Sequence, residues 1–188
     1  MKYESIRREV VSSFTGYPQF VGFLDSRLTL QESDELVKRY RIGMPHKDWK
    51  RTIFWQSTPD GRFVDADVAT ITADGEMQTR SKFNECMKHY AKGLYELTDT
   101  GFFGGELAAD GDVICIVQEP MECLLRAAQS EYVWMAVGYG RNLTIEKLNT
   151  LIGKKVILVA DSASLEYWKK LAESFAGYAR VIQSVIIK

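Results

Sequence analysis

At 188 residues, with 46% hydrophobic and 26% charged side chains, the chain has material for one domain or two small ones around a real core. Its net charge is −1, with 15 basic and 15 acidic residues up to position 104 and 9 and 10 from Gly105 onward. That balance excludes a generally basic nucleic-acid binder and leaves such a role only to a local patch.

In chain order, the start "MKYESIRREVV" is charged and lacks the apolar core of a signal peptide. Three cysteines, Cys86, Cys115 and Cys123, have no CxxC spacing, and no apolar run reaches the roughly 18 residues that span a bilayer. A cytoplasmic protein with reduced thiols and no membrane partner is expected. Residues 2 to about 28 read as helical, with a break at Gly16-Tyr17-Pro18. Thr29 is a cap for a helix that closes before Gly43. "RTIFWQS" and "RFVDADVATIT" flank the turn Thr58-Pro59-Asp60-Gly61, and Ala73-Asp74-Gly75 marks another, so a small antiparallel meander is predicted. Residues 83–92 read as a helix and "GFFGGEL" as a short extended link.

From residue 113 the pattern changes. Continuous apolar runs at 113–117, 132–137 and 155–160, and a last run "ARVIQSVIIK", read as strands. Between them, Pro120 suits a first helical turn, with Met121, Leu124, Leu125 and Ala128 at helical spacing. Thr144 caps a helix through Leu151 that Gly153 ends. Ser164 opens another, with Leu165, Trp168, Leu171, Ala172 and Phe175 on one stripe. The order βαβαβαβ predicts a parallel-rich sheet with helices on both faces. The fold class is α/β, with an α/β domain over 106–188 preceded by a small α+β region over 1–105.

Two histidines, His46 and His89, form no zinc pattern, and no GxSxG, Walker A or GxGxxG is present. Gly138-Tyr139-Gly140 is a strand-to-helix turn, or less simply a backbone nest for phosphate. The acids at predicted strand ends carry more chemistry. Glu119 and Glu122 follow the 113–117 strand, after Gln118, and Asp161 follows the 155–160 strand. If those strands are neighbours, the three carboxylates could hold Mg²⁺. The plainer reading is that Glu119 and Glu122 complement a helix dipole and that Asp161 caps a turn. A second local feature joins Lys38, Arg39, Tyr40 and Arg41 to Lys47, Trp49, Lys50 and Arg51, in which six cations stand against Asp48 alone. Such a segment neutralises phosphates and stacks on bases, or is simply a solvated helix end and loop.

"VQEPMECL" at 117–124 resembles the first motif of Toprim domains, the Mg²⁺-binding fold of primases, topoisomerases and related nucleases. That motif commonly runs V-E-G-P-M-D-A-L. "DSA" at 161–163 stands where the family has DxD, and "MAVGYG" at 135–140 where it has a strand and a glycine loop. The resemblance covers about 112–188 and implies a Toprim-like sheet. The whole chain also resembles an uncharacterised family of Toprim-like proteins from mobile elements of Bacteroidetes, through "YRIG" at 40–43, "TIFWQ" at 52–56 and "FFGGEL" at 102–107. Two departures matter. The catalytic glutamate is replaced by Gln118, which can neither act as a general base nor neutralise a metal, and the second DxD acid is Ala163. The resemblance thus implies a remnant site in a non-catalytic protein that binds single-stranded nucleic acid or a replication partner. A Mg²⁺-dependent phosphoryl-transfer enzyme using Glu119, Glu122 and Asp161 and a plain protein-interaction module are the alternatives.

Overall fold

A computed structural model describes residues 4–83 and 98–184. Most of the helix predicted over 83–92, together with Cys86 and His89, lies outside the described residues.

Three short helices open the chain, α1 (Arg8–Ser13), α2 (Phe20–Asp25) and α3 (Leu30–Arg39). The break at Gly16-Tyr17-Pro18 falls between the first two. Thr29 caps α3 in a reciprocal box, accepting from the Glu32 amide while the Glu32 carboxylate accepts from the Thr29 amide at 2.8 Å. The meander follows as β1 (Arg51–Ser57), β2 (Phe63–Ile71) and β3 (Met77–Lys82), each antiparallel to its neighbour. Then come β4 (Phe102–Phe103) and a 3₁₀ turn over Gly105–Asp110, where the sequence reads as a mere link. The remainder alternates as expected: β5 (Val113–Val117), α4 (Pro120–Ala127), β6 (Val133–Ala136), α5 (Ile145–Asn149), β7 (Lys155–Ala160), α6 (Leu165–Ser174) and β8 (Tyr178–Gln183). β5 pairs in parallel with β6 and β7, and β7 with β8.

The eight strands form one sheet in the order β3-β2-β1-β4-β6-β5-β7-β8. The two-residue β4 is the seam, antiparallel to β1 on one side and to β6 on the other. β1 is buried on both faces, which is why "IFW" at 53–55 is apolar without alternation. Successive side chains point to opposite faces. Phe54 therefore joins the main core with Phe20, Phe103 and Tyr139, while Ile53 and Trp55 join a smaller core with Val11, Phe63 and Phe83.

The three segments behind the whole-chain resemblance meet at this seam. Tyr40 stacks on Phe103 with ring centroids 5.1 Å apart, Phe54 meets Phe103 edge-on at 5.4 Å, and Arg41 Nε donates to Glu106 at 2.6 Å. A Cβ on Gly105 would sit 1.9 Å from the Ser57 carbonyl oxygen, so only glycine lets the chain pass β1 there. The motif is a packing requirement of the junction.

Candidate functional site

The chain leaves β5 for β6 on one side, whereas β7 leads to β8 on the other. The carboxyl ends of β5 and β7 therefore bound a switch-point crevice, the place where open α/β sheets bind ligands. A cleft of about 280 Å³ opens there, lined by Gln118, Arg141, Asn142, Asp161, Ala163 and Tyr167 among others. The structure thus brings Gln118 and Asp161 to one cleft.

Each predicted site residue has a definite occupation. The Gln118 side-chain amide donates to the Arg141 carbonyl at 2.8 Å and to the Gly138 carbonyl at 3.3 Å. It ties down the loop after β6. Asp161 Oδ1 accepts from the Ser164 amide at 2.7 Å and hydroxyl at 2.5 Å, and these bonds hold its carboxyl below the ordinary value. Asp161, rather than Ser164, supplies the side chain that opens α6. Glu122 is bound by Arg126 Nε at 2.9 Å and by the Ser184 hydroxyl at 2.8 Å. Glu119 is half-buried at the N-cap position of α4 without a side-chain cap bond. Burial, then Glu122 and Asp161, push its carboxyl up against the opposing pull of Arg80.

This donor set is reduced to Glu119 and Asp161 for holding Mg²⁺. The cation takes one or two carboxylates in near-octahedral geometry and completes its shell with waters or substrate phosphates. Here the position of the first acid presents an amide engaged with carbonyls, Ala163 has no donor, and Glu122 is held by a guanidinium. Among the described residues, no group of three or more His, Cys, Asp or Glu side chains is arranged to hold a metal ion.

Beneath the loop lies a charge network that the sequence reading missed. Arg141 is only 4% exposed and Lys147 fully buried. Arg141 donates through Nε to Asp67, through Nη2 to Asp65 and through Nη1 to Asp99, each at 2.8 Å. Lys147 Nζ lies 2.9 Å from the same Asp99 oxygen. The network spans β2, the segment before β4, the loop after β6 and α5. Burial lowers the Lys147 ammonium's pKa and raises that of Asp67, whereas at Asp99 burial is outweighed by Lys147 and Arg141, which hold its carboxyl low. The available signal was "DAD" at 65–67: alternation on a strand puts both acids on one face, and a doubly buried strand obliges a cation to meet them.

The same network explains the glycine loop. At Gly138, with φ 113°, a Cβ would lie 2.6 Å from both Asp67 Oδ2 and Gln56 Nε2. Three of the loop's amides are also spent internally: Gly138 N–H donates to the Gln118 carbonyl at 3.0 Å, Tyr139 N–H to Asp67 at 3.1 Å and Arg141 N–H to the Gly138 carbonyl at 3.3 Å. These bonds build it as a strand-to-helix turn.

The basic segment divides. Tyr40 is 4% exposed and its hydroxyl donates to the Trp134 carbonyl at 2.9 Å, so it is core and unavailable for stacking. Lys38 is paired with Asp34 at 2.5 Å, Arg41 with Glu106 at 2.6 Å and Arg51 with Asp48 at 2.6 Å. Arg39, Lys47 and Lys50 are exposed, and Trp49 is 53% exposed on the loop entering β1. That ring is a surface group and not part of the small core.

The fold has solved counterparts. A DnaG primase catalytic domain bound to ssDNA matches with a TM-score of 0.64 at 13% identity, covering 96% of this chain and 72% of that one. The E. coli primase catalytic core matches with a TM-score of 0.61 at 13% identity, over 96% and 71% of the two chains. A third match, with a TM-score of 0.54 at 16% identity over 82% and 75%, is a bacteriophage T7 lagging-strand DNA polymerase interacting with primase domains of two gp4 subunits bound to an RNA/DNA hybrid and dTTP. At such identities the likeness establishes the fold, that of primase catalytic cores with their Toprim-like sheet. No curated protein matches the chain in sequence. Over residues 18–162 the sequence matches a family described only as a domain of unknown function, DUF6371, and the chain belongs to that family.

Proposed function

We propose that this protein is a non-catalytic member of the primase fold that contacts single-stranded nucleic acid, in a replication system carried by a mobile element. The observation that carries the non-catalytic reading is the Gln118 amide. It stands where the resemblance places the catalytic glutamate, and both its bonds serve the Gly138 and Arg141 carbonyls. Nucleic-acid contact draws support from the exposed Trp49 between Lys47 and Lys50, a ring and two cations on one loop. The solved primase domain bound to ssDNA adds a precedent for that ligand on this fold. The mobile-element setting rests on "YRIG", "TIFWQ" and "FFGGEL" alone, and a cytoplasmic location on composition; no described helix is long and apolar enough to cross a membrane.

The rival, a Mg²⁺-dependent phosphoryl-transfer enzyme, would use Glu119, Glu122 and Asp161, of which Glu119 is half-buried and has no side-chain cap bond. One experiment separates them: a fluorescent single-stranded oligonucleotide is titrated with protein at low salt, and the same mixtures with Mg²⁺ or Mn²⁺ and nucleotides are assayed for strand synthesis and cleavage. Binding without turnover is the expected result. Metal-dependent turnover abolished by Glu119→Gln would establish the enzyme. Absence of both would leave a protein-interaction module.

A further inference from the structure

We infer that Arg141 is a positioning residue that interlocks the antiparallel meander with the switch-point cleft, so that the shape of the cleft is set from β2. Its two ends face opposite ways. The guanidinium is anchored at 2.8 Å to Asp65 and Asp67, which belong to the meander, and to Asp99. Its backbone carbonyl accepts the Gln118 amide at 2.8 Å on the wall of the cleft. Neighbouring bonds run the same course: Tyr139 N–H reaches Asp67, and Gln56 Nε2 on β1 donates to that carboxylate at 3.1 Å.

The loop from Gly138 to Leu143 is thereby a partition. Tyr139 and Gly140 line a second opening of about 250 Å³ with Asp67, Arg80, Ser81 and Lys82, while Arg141, Asn142 and Leu143 line the cleft of Gln118 and Asp161. Among the described residues the strand that bridges the two sides, β4, contributes only Phe102 and Phe103. A guanidinium that must satisfy two buried carboxylates, Asp65 and Asp67, while its third arm reaches the more exposed Asp99, has little freedom to turn. A buried pair resists partial disruption, since removing one partner strands the other in low dielectric. The loop is consequently held in register, and Gln118 reads that register through two carbonyls. Disturbing the acids of β2 should release an amide on the far side of the loop, and freeing Gln118 should loosen Arg141 in return, because coupling is reciprocal.

Nuclear magnetic resonance on the whole chain tests this through two side-chain reporters, the Gln118 amide protons and the Arg141 Nε–H. In the wild type both should exchange slowly with water. Asp65→Asn alters a residue whose side chain bonds to Arg141 and to the Ala66 amide, and it should speed Gln118 amide exchange by about tenfold or more, the effect of losing one hydrogen bond to a charged group. Backbone amides of the β7–β8 pairing should not change, which separates local release from a general loss of stability. Gln118→Leu should in turn speed exchange at Arg141 Nε–H. If Asp65→Asn does not fold, Arg141→Lys, which keeps the charge but not the three-way fork, provides the forward arm and Gln118→Leu the reverse. A wild-type Gln118 amide that exchanges at the rate of a free glutamine would overturn the interlock. So would either arm leaving the opposite reporter unchanged in a folded variant.

Discussion

The Gln118 amide and the Glu119 carboxylate sit side by side at the end of β5 with opposite energetic signs. Gln118 stabilises the loop through two donated bonds. A glutamate in its place would lose both and turn a carboxylate toward two carbonyl oxygens. Gln118→Glu should therefore cost about 1–3 kcal/mol in chelator, read by urea unfolding. Part of that loss should return with millimolar Mn²⁺ if the new carboxylate and Asp161 share the ion, because a ligand that binds only the folded state stabilises it. No response to Mn²⁺ in a folded variant would mean that Ala163 must be restored to an acid as well. Glu119 behaves otherwise. Burial and its acidic neighbours raise its carboxyl above 4.5 in the folded state. The fold thus prefers the protonated form: the penalty is absent below the unfolded value and appears as pH rises through the folded one. Glu119→Gln should make the protein more stable than wild type at pH 7, with the gap closing near pH 4, by thermal unfolding in chelator. A loss of stability at pH 7 would show instead that attraction to Arg80 outweighs burial. Gln118, Glu119, Glu122 and Asp161 were all legible in the sequence as strand-end polar groups. Their partners were not. Arg141 is one arginine after a glycine turn, and only a register that sets Asp65 and Asp67 above it reveals its role.

At the scale of elements, local chemistry specified most of the α/β half. β5, β6 and β7 are apolar but for Lys155 at the start of β7, and the helices that follow them begin where Pro120, Thr144 and Asp161 place them. α5 stops at Asn149, short of the expected Leu151, as its last turn gives way to the turn that Gly153 closes. The seam was illegible for a physical reason. β4 has two residues, too few for any periodicity, and both of its partners are distant in sequence. β3 was legible only through the turn at Ala73-Asp74-Gly75 before it, since "MQTRSK" lies largely exposed at the sheet edge and needs no apolar face. Only the glycines marked the junction, and their meaning is steric. Gly105→Ala would drive a methyl group into the Ser57 carbonyl, and Glu106 N–H would lose its 2.9 Å bond to the Ser57 hydroxyl as the backbone moved away. We expect a loss at or beyond the upper end of about 1–3 kcal/mol, the usual cost of overpacking. Gly22→Ala serves as the control, because a Cβ there meets nothing within 4 Å. Equal denaturation midpoints for the two variants would show that β4 yields easily and is not the seam.

For the whole molecule, a single sheet carries both the cleft and the basic loop, and a net charge of −1 provides no general attraction for nucleic acid. Such binding therefore has to draw on a local group of cations. Lys38, Arg41 and Arg51 each face a carboxylate, whereas Lys47 and Lys50 flank the exposed Trp49 across Asp48. Two or three phosphate contacts are the most this loop can make, so log K for a single strand should fall against log salt with a slope of roughly −2 at about 0.7 per contact. Lys47→Ala and Lys50→Ala should each flatten that slope by about 0.7, and Arg51→Ala by less, because Asp48 already offsets its charge. Trp49→Ala should weaken binding by about 1–3 kcal/mol and leave the slope nearly unchanged, since stacking releases no counterions. With more than half of its surface open, that ring contributes little to the core, so the Trp49→Ala melting temperature should match the wild type. Sequence preference should be slight, because a ring accepts any base. The measurement is an equilibrium titration across salt concentrations on variants of equal melting temperature. A wild-type protein that binds no strand even at low salt would remove nucleic acid from the account, and the exposed Trp49 would then be the anchor to test in a protein–protein contact, where a ring beside two lysines meets an acidic, apolar surface equally well.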